Sequence, residues 1–345
     1  MLAAVAMFLA GNPGTAGFFL IPGLVLIALS FQGFPGLSGF TYTTFIFAAV
    51  ALAMYFPSTF ISAGDFQFKT LIIPLLQLIM FGVGCTMGLK DFEGVVKMPR
   101  PVIIGIVCQF TIMPLLGFGI ARVFGFPPEI AAGIILVGSV PSGLASNVMS
   151  YIANANVALS VTLTAVATLM APFMTPLLME LLAGQYVPVH FSAMMMDIIK
   201  IVILPIGGGL VFNQLLGKRF PVLNSVMPLV SMVSIGAIIT IITAAGRDAL
   251  LDVGLLLLAA CAIHNLAGYL LGYHACRLLG MDERSCRTIA LEVGLQNAGL
   301  ASGLALQMGR VATVGLAPAI FGPLMNITGS SLASWWHGKP VKDER

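Results

Sequence analysis

Charge is the scarcest property of this sequence. Asp, Glu, Lys and Arg make up 8% of its 345 residues while 59% are hydrophobic, whereas a soluble domain carries roughly a quarter charged residues. That shortage excludes an ordinary soluble fold, and a mean hydropathy of +1.03 identifies a polytopic membrane protein whose partner surface is the lipid bilayer. The formal net charge of +3 is small and dispersed, with no aromatic-plus-basic cluster, so nucleic acid is excluded as a partner. Five cysteines, Cys85, Cys108, Cys261, Cys276 and Cys286, stand without metal-ligand spacing and give no disulfide framework. The chain has no HExxH, no Asp-rich magnesium motif and no paired aspartates inside an apolar run. It therefore lacks the residues of an intramembrane protease or prenyl transferase. No Lys or Arg precedes Lys69, so the apolar start lacks the basic region of a secretory signal.

What is present is apolar sequence in repeated order. Ten spans are expected at approximately 42–56, 70–88, 101–122, 129–151, 157–182, 198–216, 226–245, 253–277, 285–308 and 311–336, an all-α arrangement. Before them, in the region 1–41, residues 17–33 form an extra segment or re-entrant piece, interrupted by Pro22 and Gly23 and short for a span. The fourth span is expected to be interrupted by Pro141, Gly143, Ser146 and Asn147. The ninth carries Leu-Glu-Val-Gly-Leu-Gln-Asn-Ala-Gly at 291–299, about 150 residues later. Five spans per half, with the interrupted helix fourth in each, predict two inverted repeats, 42–184 and 185–337, with a tail at 338–345. Broken backbone at membrane depth persists only where protein or a water-filled cavity surrounds it, which marks a binding site. A kinked packing helix is the plainer alternative.

A cytoplasmic carboxyl terminus puts Lys90, Lys97, Arg100, Lys218, Arg219, Arg277, Arg284, Arg287, Lys339, Lys342 and Arg345 inside. It leaves Lys69, Arg122, Lys200, Arg247 and Arg310 outside, the asymmetry expected of cytoplasmic loops. Glycines four apart at 84 and 88, 268 and 272, and 299 and 303 predict close helix packing. Trp335 and Trp336 read as an interfacial anchor.

Glu292 is the one carboxylate placed deep within a span, where a charge costs at least ~2.5 kcal/mol. A protonated or merely structural glutamate stays open as a reading. Gln296 lies four residues on, and Val293 and Leu295 offer backbone carbonyls beside Gly294; hard cations prefer such oxygens. Ser160 and Thr164, four apart, share one helical face. Gln109, His264 and Asn265 read more readily as helix-to-helix hydrogen-bonding residues, with a proton relay through His264 as the alternative.

Three stretches resemble the bile acid:sodium symporter family, bacterial branch: 143–151 (Gly-Leu-Ala-Ser-Asn-Val-Met-Ser-Tyr), 156–161 (Asn-Val-Ala-Leu-Ser-Val) and 292–300 (Glu-Val-Gly-Leu-Gln-Asn-Ala-Gly-Leu). The resemblance runs from about residue 42 to 337. It implies ten helices with crossed broken helices, a core domain of spans three to five and eight to ten, and a panel domain of spans one, two, six and seven. It implies a first sodium site at Ser146, Asn147, Ser160, Thr164 and Glu292. A second is implied at Gln109, Glu292, Gln296 and the carbonyls of Val293 and Leu295. Asn297 matches a substrate-side position; Leu144 departs from it, standing where close bacterial relatives often have Thr.

The expectation is a secondary active symporter, not an enzyme. It would couple sodium to uptake of an organic anion, bile acid-like or a smaller carboxylate or sulfonate, by alternating access in a bacterial inner membrane. Sodium ions are its coupling ions, with no cofactor and no transition metal. A proton-coupled or sodium-independent anion carrier is the rival, with a passive channel or an intramembrane enzyme more distant.

Overall fold

The computed structural model describes residues 13–33, 41–88, 93–217, 221–339 and 341. Parts of the 1–41 and 338–345 regions, and Lys90, Lys218, Arg219, Lys342 and Arg345, lie outside the described residues. Sixteen α-helices are described, with one two-stranded hairpin. The first part of the chain forms α1 (Pro13–Phe31), α2 (Thr41–Tyr55) and α3 (Ser58–Ile61). A short antiparallel pair follows, β1 (Ser62–Ala63) with β2 (Phe66–Gln67), then α4 (Ile72–Thr86), α5 (Glu93–Lys97) and α6 (Pro99–Phe124). The middle holds α7 (Pro128–Ser139), α8 (Ala145–Ile152) and α9 (Val157–Leu178). Then come α10 (Phe191–Ile198), α11 (Leu204–Leu216), α12 (Pro221–Ala245), α13 (Arg247–Leu278), α14 (Glu283–Gly294), α15 (Ala298–Gln307) and α16 (Leu316–His337). Five helical stretches are long and apolar enough to cross a bilayer: Phe68–Thr86, Pro99–Phe124, Val157–Ala183, Phe191–Leu216 and Arg247–Leu278. Shorter apolar helices accompany them, so the chain is an all-α membrane protein.

Both interruptions expected from sequence are present as breaks in helix, but the first is narrower than expected. Helix stops at Ser139 and resumes at Ala145, so Ser146 and Asn147 lie in the first turn of α8 rather than in the gap. Pro141 accounts for the break, since it has no N–H to continue the ladder and disfavours helix at the residue before it. The second gap, Leu295–Asn297, ends when the Asn297 side chain accepts from the Leu300 N–H at 3.0 Å, an N-cap that starts α15. Asn156 starts α9 and Asp282 starts α14 in the same way, each accepting at 3.0 Å.

Most of the packing falls within two sets of helices. Helices α6, α7, α8, α9, α13, α14 and α16 pack on one another, while α1 packs on α2, α2 and α4 on α12, and α4 on α11. A Cβ on Gly84 would collide with the Ile206 carbonyl, and one on Gly303 with the Leu76 side chain; both glycines permit the close packing expected of them. The Trp pair divides. Trp335 is exposed, with the Lys339 ammonium 3.4 Å from its ring centre. Trp336 is buried against Tyr273 and lies beneath the Arg287 guanidinium, so it is a packing residue rather than half of an interfacial anchor. Buried Arg287 pairs with Glu283 at 2.8 Å and donates to the Ala153 and Trp336 carbonyls at 3.0 and 3.2 Å. It thereby caps the ends of α8 and α16, where cations are favoured.

Candidate functional site

The two gaps meet. Gly143 N–H donates to the Leu295 carbonyl at 2.8 Å and Asn297 N–H donates to the Pro141 carbonyl at 2.9 Å. These reciprocal bonds make one antiparallel bridge between Ser142 and Gln296. The crossing satisfies backbone groups that neither interrupted helix can satisfy alone. A Cβ on Gly143 would come within 2.9 Å of the Gln296 carbonyl oxygen, so a side chain there would force the two gaps apart. Gly294 is the last residue of α14, and its missing side chain makes room for the Tyr269 ring.

Around this crossing the candidate residues assemble on four helices. Glu292, 2% exposed, projects from α14 one turn before the gap. Ser160 donates to its Oε1 at 2.5 Å, and Thr164 lies 3.2 and 2.9 Å from its two carboxylate oxygens. Asn147 Oδ1 lies 2.8 Å from Ser160 Oγ and 3.3 Å from Thr164 Oγ1, while Ser146 Oγ is 3.3 Å from Thr164 Oγ1. Ser142, absent from the sequence-based set, donates to Glu292 Oε2 at 2.6 Å. Its sequence signal was a hydroxyl inside the break itself.

The protons in this cluster are too few for the lone pairs of its oxygens. Each hydroxyl carries one donor, and Ser146 spends its proton on the Gly143 carbonyl at 2.8 Å. Ser142, Ser160 and Thr164 then supply three protons, enough for one bond each to the two Glu292 oxygens and Asn147 Oδ1, which leaves a second lone pair on each of these oxygens unmatched. Among the ion pairs of the described residues, none involves Glu292. Acceptor oxygens crowded around a carboxylate, without a Lys or Arg to balance it, suit a hard monovalent cation.

Gln109 and Gln296 form the adjoining group. Gln109 Nε2 donates to the Val140 carbonyl at 3.1 Å and to Gln296 Oε1 at 2.9 Å, while Gln296 Nε2 donates to the Val293 carbonyl. Gln109 is 2% exposed, and its Oε1 is buried with no hydrogen-bond partner. A buried acceptor left unmatched costs about 1–3 kcal/mol, which a cation beside it would recover. The Leu295 carbonyl accepts from Gly143, leaving one lone pair.

Leu144 and Asn297 stand at the starts of α8 and α15. Leu144 is 41% exposed, and the Asn297 side chain is occupied as the N-cap of α15. His264 Nε2 donates to the Met113 carbonyl at 2.9 Å and its ring packs edge-on against Phe321, a helix-to-helix contact. Two surface cavities, lined in common by Met308 and Arg310, lie at the far end of α15 and include none of these residues.

One protein family and three relatives bear on this geometry. The profile of the Sodium Bile acid symporter family matches residues 73–253. A Bacillus subtilis (strain 168) protein named "Uncharacterized sodium-dependent transporter YocS" is 40% identical over 308 residues, covering 89% of this chain and 94% of its own. The Arabidopsis thaliana protein "Probable sodium/metabolite cotransporter BASS1, chloroplastic" is 37% identical over 268 residues, covering 77% and 67%. A rice relative, named "Probable sodium/metabolite cotransporter BASS2, chloroplastic", is 34% identical over 279 residues, covering 78% and 65%.

Proposed function

This chain belongs to the sodium bile acid symporter family, and on that premise we propose that it couples two sodium ions to the uptake of an organic anion by alternating access. It is an integral membrane protein and a sodium-coupled transporter by its relatives. The finer reading rests on one observation: oxygens from the first interrupted helix and from α9 converge around Glu292 of the second, with more acceptor lone pairs than protons. In this reading Ser146, Asn147, Ser160, Thr164 and Glu292 hold the first ion. Gln109, Glu292, Gln296 and the carbonyls of Val293 and Leu295 hold the second.

Two monovalent cations beside one carboxylate leave a local charge of about +1, which attracts an anion strongly at low dielectric. The amino ends of α8 and α15 add positive partial charge at the crossing. A carboxylate or sulfonate seated there, near Leu144 and Asn297, would bind cooperatively with sodium. The ten spans, the inverted repeats and the division into core and panel domains are part of this proposal, as are a bacterial inner membrane and a cytoplasmic carboxyl terminus. The two packing sets support the division: the first contains spans three to five and eight to ten apart from α15, and the second contains spans one, two, six and seven apart from α10.

The half-helices suggest which side is open. Helix α15 packs against α4, α10 and α12 as well as α7 and α16, whereas α8 packs mainly on α9, α14 and α16. It leaves Leu144, Val148 and Tyr151 exposed along one stripe. In the proposed topology this is a conformation closed outside and open inside.

Uptake of a panel of labelled carboxylates and sulfonates into vesicles, with sodium or choline outside and with the potential clamped or imposed, tests the reading. A monoanion should accumulate only with sodium and faster with an inside-negative potential. Accumulation driven by a proton gradient with choline outside would overturn sodium coupling. Cysteines at Lys97 and Arg247 should react from opposite sides; the reverse labelling would overturn the orientation.

A further inference from the structure

The amide of Gln109 is not the only one that grips the end of an interrupted helix. On α13, the fully buried Asn265 donates through Nδ2 to the Gly294 carbonyl at 2.8 Å. Gly294 is the last helical residue before the second gap, as Val140 follows the last residue before the first. The bonds Gln109 to Val140 and Asn265 to Gly294 therefore do the same thing at the two gaps, from helices that occupy matching places in the proposed repeats. They differ at the carbonyl end of each amide. Gln109 Oε1 has no partner, whereas Asn265 Oδ1 accepts from Thr328 Oγ1 at 2.5 Å.

We propose that Asn265 is a positioning residue for the second sodium ion, fixing the Gly294 peptide so that the Val293 and Leu295 carbonyls and Gln296 face Gln109. The inference rests on the sodium reading above. Thr328 locks the amide: with Oδ1 occupied by the hydroxyl on α16, Nδ2 can point only toward Gly294. The neighbouring His264 holds the Met113 carbonyl at 2.9 Å, one turn beyond Gln109 on α6, so one turn of α13 sets the distance between both walls of the site. Gly268, against the Met113 side chain, and Tyr269, against Gly294, permit and fill that approach. Asn265 itself has both ends of its amide engaged by protein and does not touch the ion. It acts as outer-shell partners of metal ligands do, by orienting the groups that coordinate.

Equilibrium binding of radiolabelled sodium to the purified full-length chain, with unfolding temperatures measured without sodium, is the test. Wild type should bind cooperatively with a Hill coefficient of about 2, and Asn265→Ala should lower affinity about tenfold and the coefficient to about 1. Gln109→Ala should do the same, and the double variant should be no weaker than Gln109→Ala alone, because both act on one ion. No sodium binding by wild type would overturn the sodium reading itself. Sodium binding by Asn265→Ala that matches wild type, even with a lowered unfolding temperature, would overturn the positioning role and leave a structural one. If Asn265→Ala does not fold, Thr328→Val decides. It frees the amide to rotate and should lower the Hill coefficient likewise, and an unchanged coefficient would overturn the proposal.

Discussion

At the first gap the chain supplies hydroxyls: Ser142 within the gap, Ser146 just beyond it, and Ser160 and Thr164 from the helix that follows. At the second it supplies a carboxylate, two carbonyls and the Gln296 amide. The backbone of the two gaps is treated alike, with reciprocal bonds across the crossing and one side-chain amide gripping each end. Their side chains are complementary instead. A single gap offers either neutral donors or an unpaired charge buried at high cost; only the crossing brings the two together. Matching backbone thus makes the meeting place, and unmatched side chains give it chemistry.

The comparison breaks most severely at Glu292, the one charge at the crossing. Glu292→Gln keeps the shape and one carbonyl oxygen, so the protein should fold with wild-type monodispersity while sodium-driven accumulation disappears. Wild-type sodium dependence in this variant would mean that the second gap contributes no charge to transport. Next come the hydroxyls of the first half. Ser160→Ala should raise the sodium concentration for half-maximal uptake about tenfold. Thr162→Ala, whose hydroxyl bonds the Ala158 carbonyl away from the site, should leave it within about twofold. Similar shifts for both would show that the face of α9 is irrelevant.

How far was this arrangement legible beforehand? Ser160 and Thr164 were readable because helical spacing fixes a shared face, and Glu292 because a lone carboxylate in an apolar run stands out. The gaps were legible through Pro141 and Gly143, although Ser146 and Asn147 proved to be helical. Ser142 was not singled out, since a residue in irregular backbone has no periodicity to aim its side chain. Its carboxylate partner lies 150 positions away. Asn265 was read as a packing amide for the same reason: its acceptor is a carbonyl freed only by a distant break. Trp336 misled because a tryptophan near a basic tail has the same sequence signature whether it faces headgroups or covers a buried arginine.

Ser142 also sharpens the comparison. It bonds one oxygen of Glu292 and is no proposed ligand, so Ser142→Ala should raise the sodium requirement only about fivefold, the size of one net hydrogen bond. A loss as large as that of Glu292→Gln would promote Ser142 to a coordinating residue. The smallest sodium effect belongs to Leu144→Thr. That exposed side chain should alter which anions compete for uptake while half-maximal sodium stays within about twofold. A large sodium shift there would mean that the start of α8 is part of the ion site.

The single bridge between Ser142 and Gln296 also dictates an order of assembly. Its strands come from distant parts of the chain, so during synthesis the first gap enters the membrane long before its partner has been translated. Until then the carbonyl of Pro141 and the N–H of Gly143 lack the partners they have in the finished fold, in a solvent that offers them none. The nascent first half is thus an incomplete product that needs water, an insertase or its own polar side chains to shelter it. The oxygen cluster around Glu292 can form only once the second interrupted helix has arrived, and a chain stopped before residue 296 would have helices but no crossing.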